Sequence, residues 1–239
     1  MYKSYRKLNP KIDNKNWQIL FNTQFQNMQK LGAVSTLWIN QFSKLGIDNS
    51  RRPSVRELNG ASKKYTGYRF IQTQKNVITP PIDWYKMIVR YEMPVTNFVR
   101  KPSELDYCDE PDSFHDIMTH IPFLMNKEYS DMYQLLARTY IEAFNRQDQK
   151  ALEKLDFIGG YIIELALIRE KTGLKAFGVT LYSSGEVKEA FKKENQIVLG
   201  NNLPIEKKSY DRSSFQGKYY IIDSITQIVK FIMQVKKKL

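Results

Sequence analysis

Apolar residues recur at helical spacing over long stretches of this chain, and that pattern limits the fold more than any other feature. Residues 15–31 (KNWQILFNTQFQNMQKL) place Trp17, Leu20, Phe21, Phe25, Met28 and Leu31 on one stripe. The pattern resumes over 35–45, after a stop at Gly32. Ser54 opens a short helix with Glu57 three residues later, the capping-box spacing. Pro80-Pro81 begins another, IDWYKMIVRY, with proline in the first turn. Residues 126–145 and 148–171 read as two long helices. Extended texture is scarce: 67–77, then short pieces at 176–178 and 181–184. GKYYIIDS at 217–224 is a strand signal, followed by an amphipathic helix, SITQIVKFIMQV. The expectation is a mainly α fold with a small β component: a basic N-terminal tail over 1–14 and one globular domain over 15–239.

With 239 residues, 42% of them hydrophobic, the chain can bury one sizeable core without needing a second domain. No apolar run is long enough to span a bilayer, and MYKSYRKLNPKIDNKNW lacks the apolar centre of a signal peptide. The single cysteine, Cys108, excludes an intrachain disulfide and reads as a packing residue. A soluble, cytoplasmic protein follows as the expectation, a monomer or small homo-oligomer with no membrane partner. The net charge of +12 raises nucleic acid as a partner. The lysines are scattered, however, and no segment interleaves basic and aromatic residues. A solvated basic surface is expected, with no nucleic acid.

The chain has two histidines, His115 and His120, within EPDSFHDIMTHIPFL. Residues 110–120 read as a helix with Pro111 in its first turn and Pro122 limiting its end. On an ideal α-helix five residues advance about 500°, leaving the two rings roughly 140° apart. One metal reaches both only where the helix distorts. Alone, the pair reads as one surface histidine and one hydrogen-bonded core histidine. A third group changes that reading. In FIGGYIIELALI, residues 157–168, Glu164 is the only charge. A carboxylate on an apolar helix is costly unless paired or bound to a metal. Two imidazoles and a carboxylate form the facial triad of non-haem iron(II), with positions open to dioxygen and substrate; zinc accepts the same donors.

Residues 93–132 resemble the centre of the biopterin-dependent aromatic amino acid hydroxylases, most of all the bacterial phenylalanine hydroxylases. PD-SF-HD-IM-TH-I-P follows that family's order of Pro-Asp, His-acid, Gly-His and Pro. RRPSVRELNGASKKYTGYRF, AFGVTLYSSGE and SSFQGKYYIIDSITQ resemble further segments of the family, so the likeness runs over roughly 15–235. It implies a compact catalytic domain, with neither a regulatory domain before it nor a tetramerisation helix after it. The implied activity is that of a non-haem iron(II) monooxygenase, hydroxylating an aromatic amino acid or related aromatic compound with dioxygen and a tetrahydropterin. It assigns the metal to His115, His120 and Glu164, and the substrate carboxylate to Arg100, whose planar fork suits a bidentate contact. Asp112 supports that region. Asp116 contacts pterin or iron-bound water, Ser183 orients the first histidine and the substrate, Thr180 lies beside the substrate, and Trp84 stacks on the pterin. From the residues alone, Arg100 also reads as a surface ion pair, Ser183 as a strand-end hydroxyl, and Trp84 as core.

The departures from the family pattern point to altered pockets. Thr119 and Thr180 stand where the family has glycine. Gly159 and Gly160 stand where it has Tyr-Trp, and the loop near 75–79 replaces a Gly-Leu turn with a two-residue insertion. Two helical glycines cost about 1 kcal/mol each relative to alanine, so they imply a need for space. Two further readings follow: an iron oxygenase of this fold that takes a different or larger substrate, with or without pterin, and a non-catalytic binder of nucleic acid. The joint presence of both histidines, the glutamate and the arginine argues against the binder.

Overall fold

The computed structural model describes residues 10–73, 79–106, 108, 111–204 and 215–239. Helix α1 spans Pro10–Lys30 and buries Trp17, Leu20, Gln24 and Met28. It begins five residues earlier than the sequence suggested, because Pro10 provides a preset first turn and Asp13 lies in that turn. Residues 10–14 of the expected tail are therefore helical, and 1–9 lie outside the described residues. Gly32 ends the helix with φ +59°, a conformation that glycine adopts without strain. Helix α2 (Thr36–Phe42) is capped by Ser35, and α3 (Val55–Ser62) by the Ser54–Glu57 capping box that the spacing predicts.

Strand β1 (Arg69–Thr73), helix α4 (Pro81–Val89) and strand β2 (Glu92–Thr96) follow. The strands pair in parallel, from Arg69↔Glu92 to Thr73↔Thr96. A parallel pair needs a crossover, and α4 supplies it. Strand β2 was not anticipated, since it contains Pro94. In a two-stranded sheet both strands are edges, where proline is tolerated.

The histidine segment is one helical run in three pieces: α5 (Ser113–His115), a π-helical turn (Asp116–His120) and α6 (Ile121–Leu124). Pro122 does not end it. It sits within the first turn after the π segment, where its missing N–H costs little. Helix α7 (Lys127–Asn145) is capped by Asn126, and α8 (Gln149–Phe157) by Asp148.

The expected helix over 148–171 is shorter. After α8 a second π segment covers Ile158–Ile163, and β3 (Leu167–Glu170) has begun three residues after Glu164. A short apolar run fits a buried helix or a buried strand equally well by periodicity. Pairing decides it, with Leu167 and Ile168 set parallel to Ile221 and Ile222 of β6 (Tyr219–Ile222). Strand β4 (Gly173–Ala176) runs antiparallel to β3, and β5 (Gln196–Val198) runs parallel to β6. The sheet order is β4-β3-β6-β5. The strand-like residues 181–184 instead belong to a 3-10 turn (Val179–Tyr182) and the bend after it, which leads into α9 (Glu186–Ala190). Helix α10 (Ile225–Lys236) closes the chain, capped by the Ser224 side chain. Among the described residues, no helix is long and apolar enough to cross a membrane.

The core continues under the histidines as packed aromatic rings. Trp38 stacks on Phe42 and Tyr182, Phe123 meets Tyr182 and Phe177 edge-on, and Trp17 meets Phe114. Phe114, Phe123 and Phe177 are fully buried. The histidine helix and the 179–184 turn are thus seated on one rigid floor.

Candidate active site

The π turn answers the spacing problem. It closes the Ile121 N–H onto the Asp116 carbonyl, five residues back instead of four. His115 and His120 therefore stand one hydrogen-bonded turn apart, and their Nε2 atoms lie 3.1 Å from each other. Two nitrogens at about 2.1 Å from one ion and at right angles would be ~3 Å apart. Neighbours satisfy the distorted backbone: the Thr119 hydroxyl donates to the His115 carbonyl, and the Trp38 indole N–H donates to Met118 O at 2.8 Å. Thr119 thus has a structural role that a glycine could not fill.

Each ring is fixed differently. His115 Nδ1 lies 2.8 Å from Ser183 Oγ, which leaves its Nε2 facing the centre. His120 is buried, which pulls its pKa down to about 3 and keeps it neutral, the form that binds metal. Its Nδ1 is buried with no hydrogen-bond partner among the described residues.

Glu164 caps the second π segment. Its carboxylate joins the two histidines, with one ligand atom from each residue lying within 4.8 Å of the others. The 3-10 turn reaches it from the far side. Thr180 N donates to Glu164 O at 2.9 Å, and the Thr180 hydroxyl donates to Glu164 Oε2 at 2.7 Å. The approach depends on Gly178, where a Cβ would lie 2.3 Å from Leu165 N and 2.4 Å from Glu164 O. The turn is also braced from below by α1, where Gln24 Nε2 donates to Leu181 O at 2.8 Å and Ser184 O at 3.0 Å.

Arg100 and Asp112 form a buried ion pair beside the histidines. Asp112 Oδ1 accepts from Arg100 Nε (3.0 Å), Arg100 Nη2 (2.7 Å) and His115 N (3.0 Å), while Oδ2 accepts from Arg100 N (2.7 Å). Arg100 Nη1 donates to Ser183 O at 3.3 Å. A guanidinium has five N–H donors. Three are used here among the described residues, leaving one on each terminal nitrogen, the pair that a carboxylate takes in bidentate fashion. Asp116 turns to β2, where its Oδ2 accepts from Thr96 N and Thr96 Oγ, both at 2.7 Å. Burial, against those hydrogen bonds, pushes its carboxyl up to about 7. The half-buried Trp84 ring lies 5.3 Å from the His120 ring, and its indole N–H donates to Tyr133 Oη at 2.7 Å.

A sequence model described as biopterin-dependent aromatic amino acid hydroxylase matches residues 8–239, nearly the whole chain. The chain belongs to that family. Among the family's curated members, phenylalanine-4-hydroxylase of Ralstonia nicotianae is 27% identical over 225 residues, covering 90% of this chain and 67% of that protein. The Chromobacterium violaceum enzyme is 26% identical over 230 residues, covering 90% and 71%. Phenylalanine hydroxylase from Legionella pneumophila superposes with a TM-score of 0.78 at 22% identity, covering 97% of this chain and 91% of that one. A Chromobacterium violaceum hydroxylase structure with bound iron(III) and 7,8-dihydrobiopterin gives 0.74 at 24% identity, covering 92% and 80%. At these identities the superpositions establish a common fold.

Against the family's pattern, Gly159 has a more specific setting than open space. A Cβ at Gly159 would lie 2.9 Å from the Tyr85 hydroxyl, so Tyr85 of α4 fills the room next to Gly159. The altered loop near 75–79 lies outside the described residues except for Thr79. Thr96, Tyr133 and Tyr85 were missed by sequence reasoning. Each acts through a partner 20 to 74 residues away, and no local signal marks such a contact.

Proposed function

We propose that this protein is a non-haem iron(II) monooxygenase that hydroxylates an aromatic amino acid, using dioxygen and a reduced pterin. The convergence of His115, His120 and Glu164 within 4.8 Å carries the reading. The donor set fits iron(II): two neutral imidazoles and one carboxylate, one face of an octahedron. His120 Nδ1 has no hydrogen-bond partner among the described residues, so its ring lacks the outer contact usual for a metal-ligating histidine and is held instead by burial and the Trp84 ring. When bound, iron(II) and the pterin supply the activation of dioxygen. The chain's own residues supply position. The two remaining Arg100 donors hold the substrate carboxylate, and Asp112 holds Arg100. Ser183 fixes the His115 ring, and Trp84 offers an aromatic face beside His120 for the pterin.

Metal analysis, anaerobic pterin titration and product mass spectrometry test this reading. Phenylalanine should gain one oxygen atom in a pterin-dependent turnover. Glu164→Ala and His115→Ala should lose retained iron and activity together. Full turnover by an iron-free Glu164→Ala variant would refute the assignment. Oxygen transfer that needs no pterin would favour the oxygenase of different substrate range.

A further inference from the structure

We infer that Thr180 is a positioning residue for the metal: its hydroxyl fixes the rotation of the Glu164 carboxylate, so that the ligand is set before an ion arrives. The inference rests on the metal-site reading given above. Glu164 is half-buried and ends a π segment, so its backbone lies at a helix terminus. Thr180 engages that residue at two points, the main-chain carbonyl at 2.9 Å and Oε2 at 2.7 Å. One contact locates the backbone and the other the carboxylate plane. A glycine at 180 would keep the first and lose the second.

The same short turn holds a second ligand. Ser183 Oγ meets His115 Nδ1, and the Thr180 carbonyl accepts from Ser183 N (3.1 Å), Ser183 Oγ (3.3 Å) and Ser184 Oγ (3.0 Å). Two of the three candidate ligands are thus oriented from the one 179–184 segment, and Arg100 touches it at Ser183 O. His120 is left to its burial and to the Trp84 ring. Partners behind the ligands commonly change metal affinity 10- to 100-fold when removed.

Cobalt(II) titration of metal-free protein, followed by its visible absorption, tests the inference without reference to turnover. Thr180→Val keeps the shape and removes the donor. It should bind cobalt about tenfold more weakly or worse, with an altered ligand-field spectrum. Thr180→Ser restores the hydroxyl and should return both affinity and spectrum to within about threefold of the parent. Should the valine variant fold poorly, Thr180→Ala removes the same hydroxyl with less bulk and carries the same expectation. Parental cobalt affinity and spectrum in a folded variant lacking the hydroxyl would overturn the inference. Weakening in Thr180→Ser equal to that in Thr180→Val would also overturn it, since the hydroxyl would then not be the cause. Absence of cobalt binding in the parent protein would count against the metal site itself, a different failure.

Discussion

Tyr85 and Gly159 are best understood as a pair. A phenol from α4 ends 2.9 Å from where a Cβ at 159 would stand, closer than real side chains pack. Gly159→Ala gains about 1 kcal/mol of helix propensity but forces the Tyr85 ring to move, and overpacking of this kind costs about 1–3 kcal/mol. The single variant should be destabilised. In a Tyr85→Phe background, where the hydroxyl is gone, the same substitution should be neutral or stabilising. Urea denaturation of the four proteins measures the coupling, and simple additivity would mean that the two groups do not touch. At this scale the sequence exposes the unusual residues but not their reasons. Thr119, Gly159 and Thr180 stand out as departures. That they meet the His115 carbonyl, the Tyr85 hydroxyl and the Glu164 carboxylate depends on which segments the fold brings together.

Both segments that carry the candidate ligands are π turns, and neither was legible from a helical period. An α-helix would have set His115 and His120 about 140° apart. The extra residue per turn brings them together, at the cost of backbone groups that Thr119 and Trp38 must satisfy. The Ser54–Glu57 cap, by contrast, was readable, because it acts within three residues of itself. Asp112 is a cap with a wider reach, tying the N-terminus of α5 to Arg100. Asp112→Ala leaves a buried guanidinium unpaired and frees the turn before His115. A loss of about 3–5 kcal/mol is expected, together with weaker cobalt binding. Gly178→Ala tests the opposite wall. The clash there is with backbone atoms, which cannot rotate away. The 179–184 turn must lift from Glu164, with an expected loss of about 3 kcal/mol in urea and weaker cobalt binding. Unchanged values for both would contradict the close approach.

Across the whole molecule, the candidate metal ligands come from two segments about 44 residues apart, and their partners come from α1, α2, β2 and the turn before α9. Local patterning reports helices and caps, whereas this convergence is a property of the packed chain. At the sequence level, the cost of a lone carboxylate on an apolar run marked Glu164 as a candidate third ligand, and the resemblance to a known family agreed with it. A site assembled only on folding couples metal binding to stability. An ion that binds the native state alone, at a hundred times its dissociation constant, stabilises by about 2.7 kcal/mol. For a domain of this size each kcal/mol shifts Tm by roughly 2–4 °C. Cobalt(II) or anaerobic iron(II) should therefore raise the melting midpoint by roughly 5–10 °C in scanning calorimetry. Glu164→Ala and His120→Ala should show no rise at the same concentration. Thr180→Val should reach the full rise only at about tenfold more metal, because its native state folds the same ligands with one of them less well held. An equal rise in the Glu164→Ala variant would place the binding elsewhere on the protein.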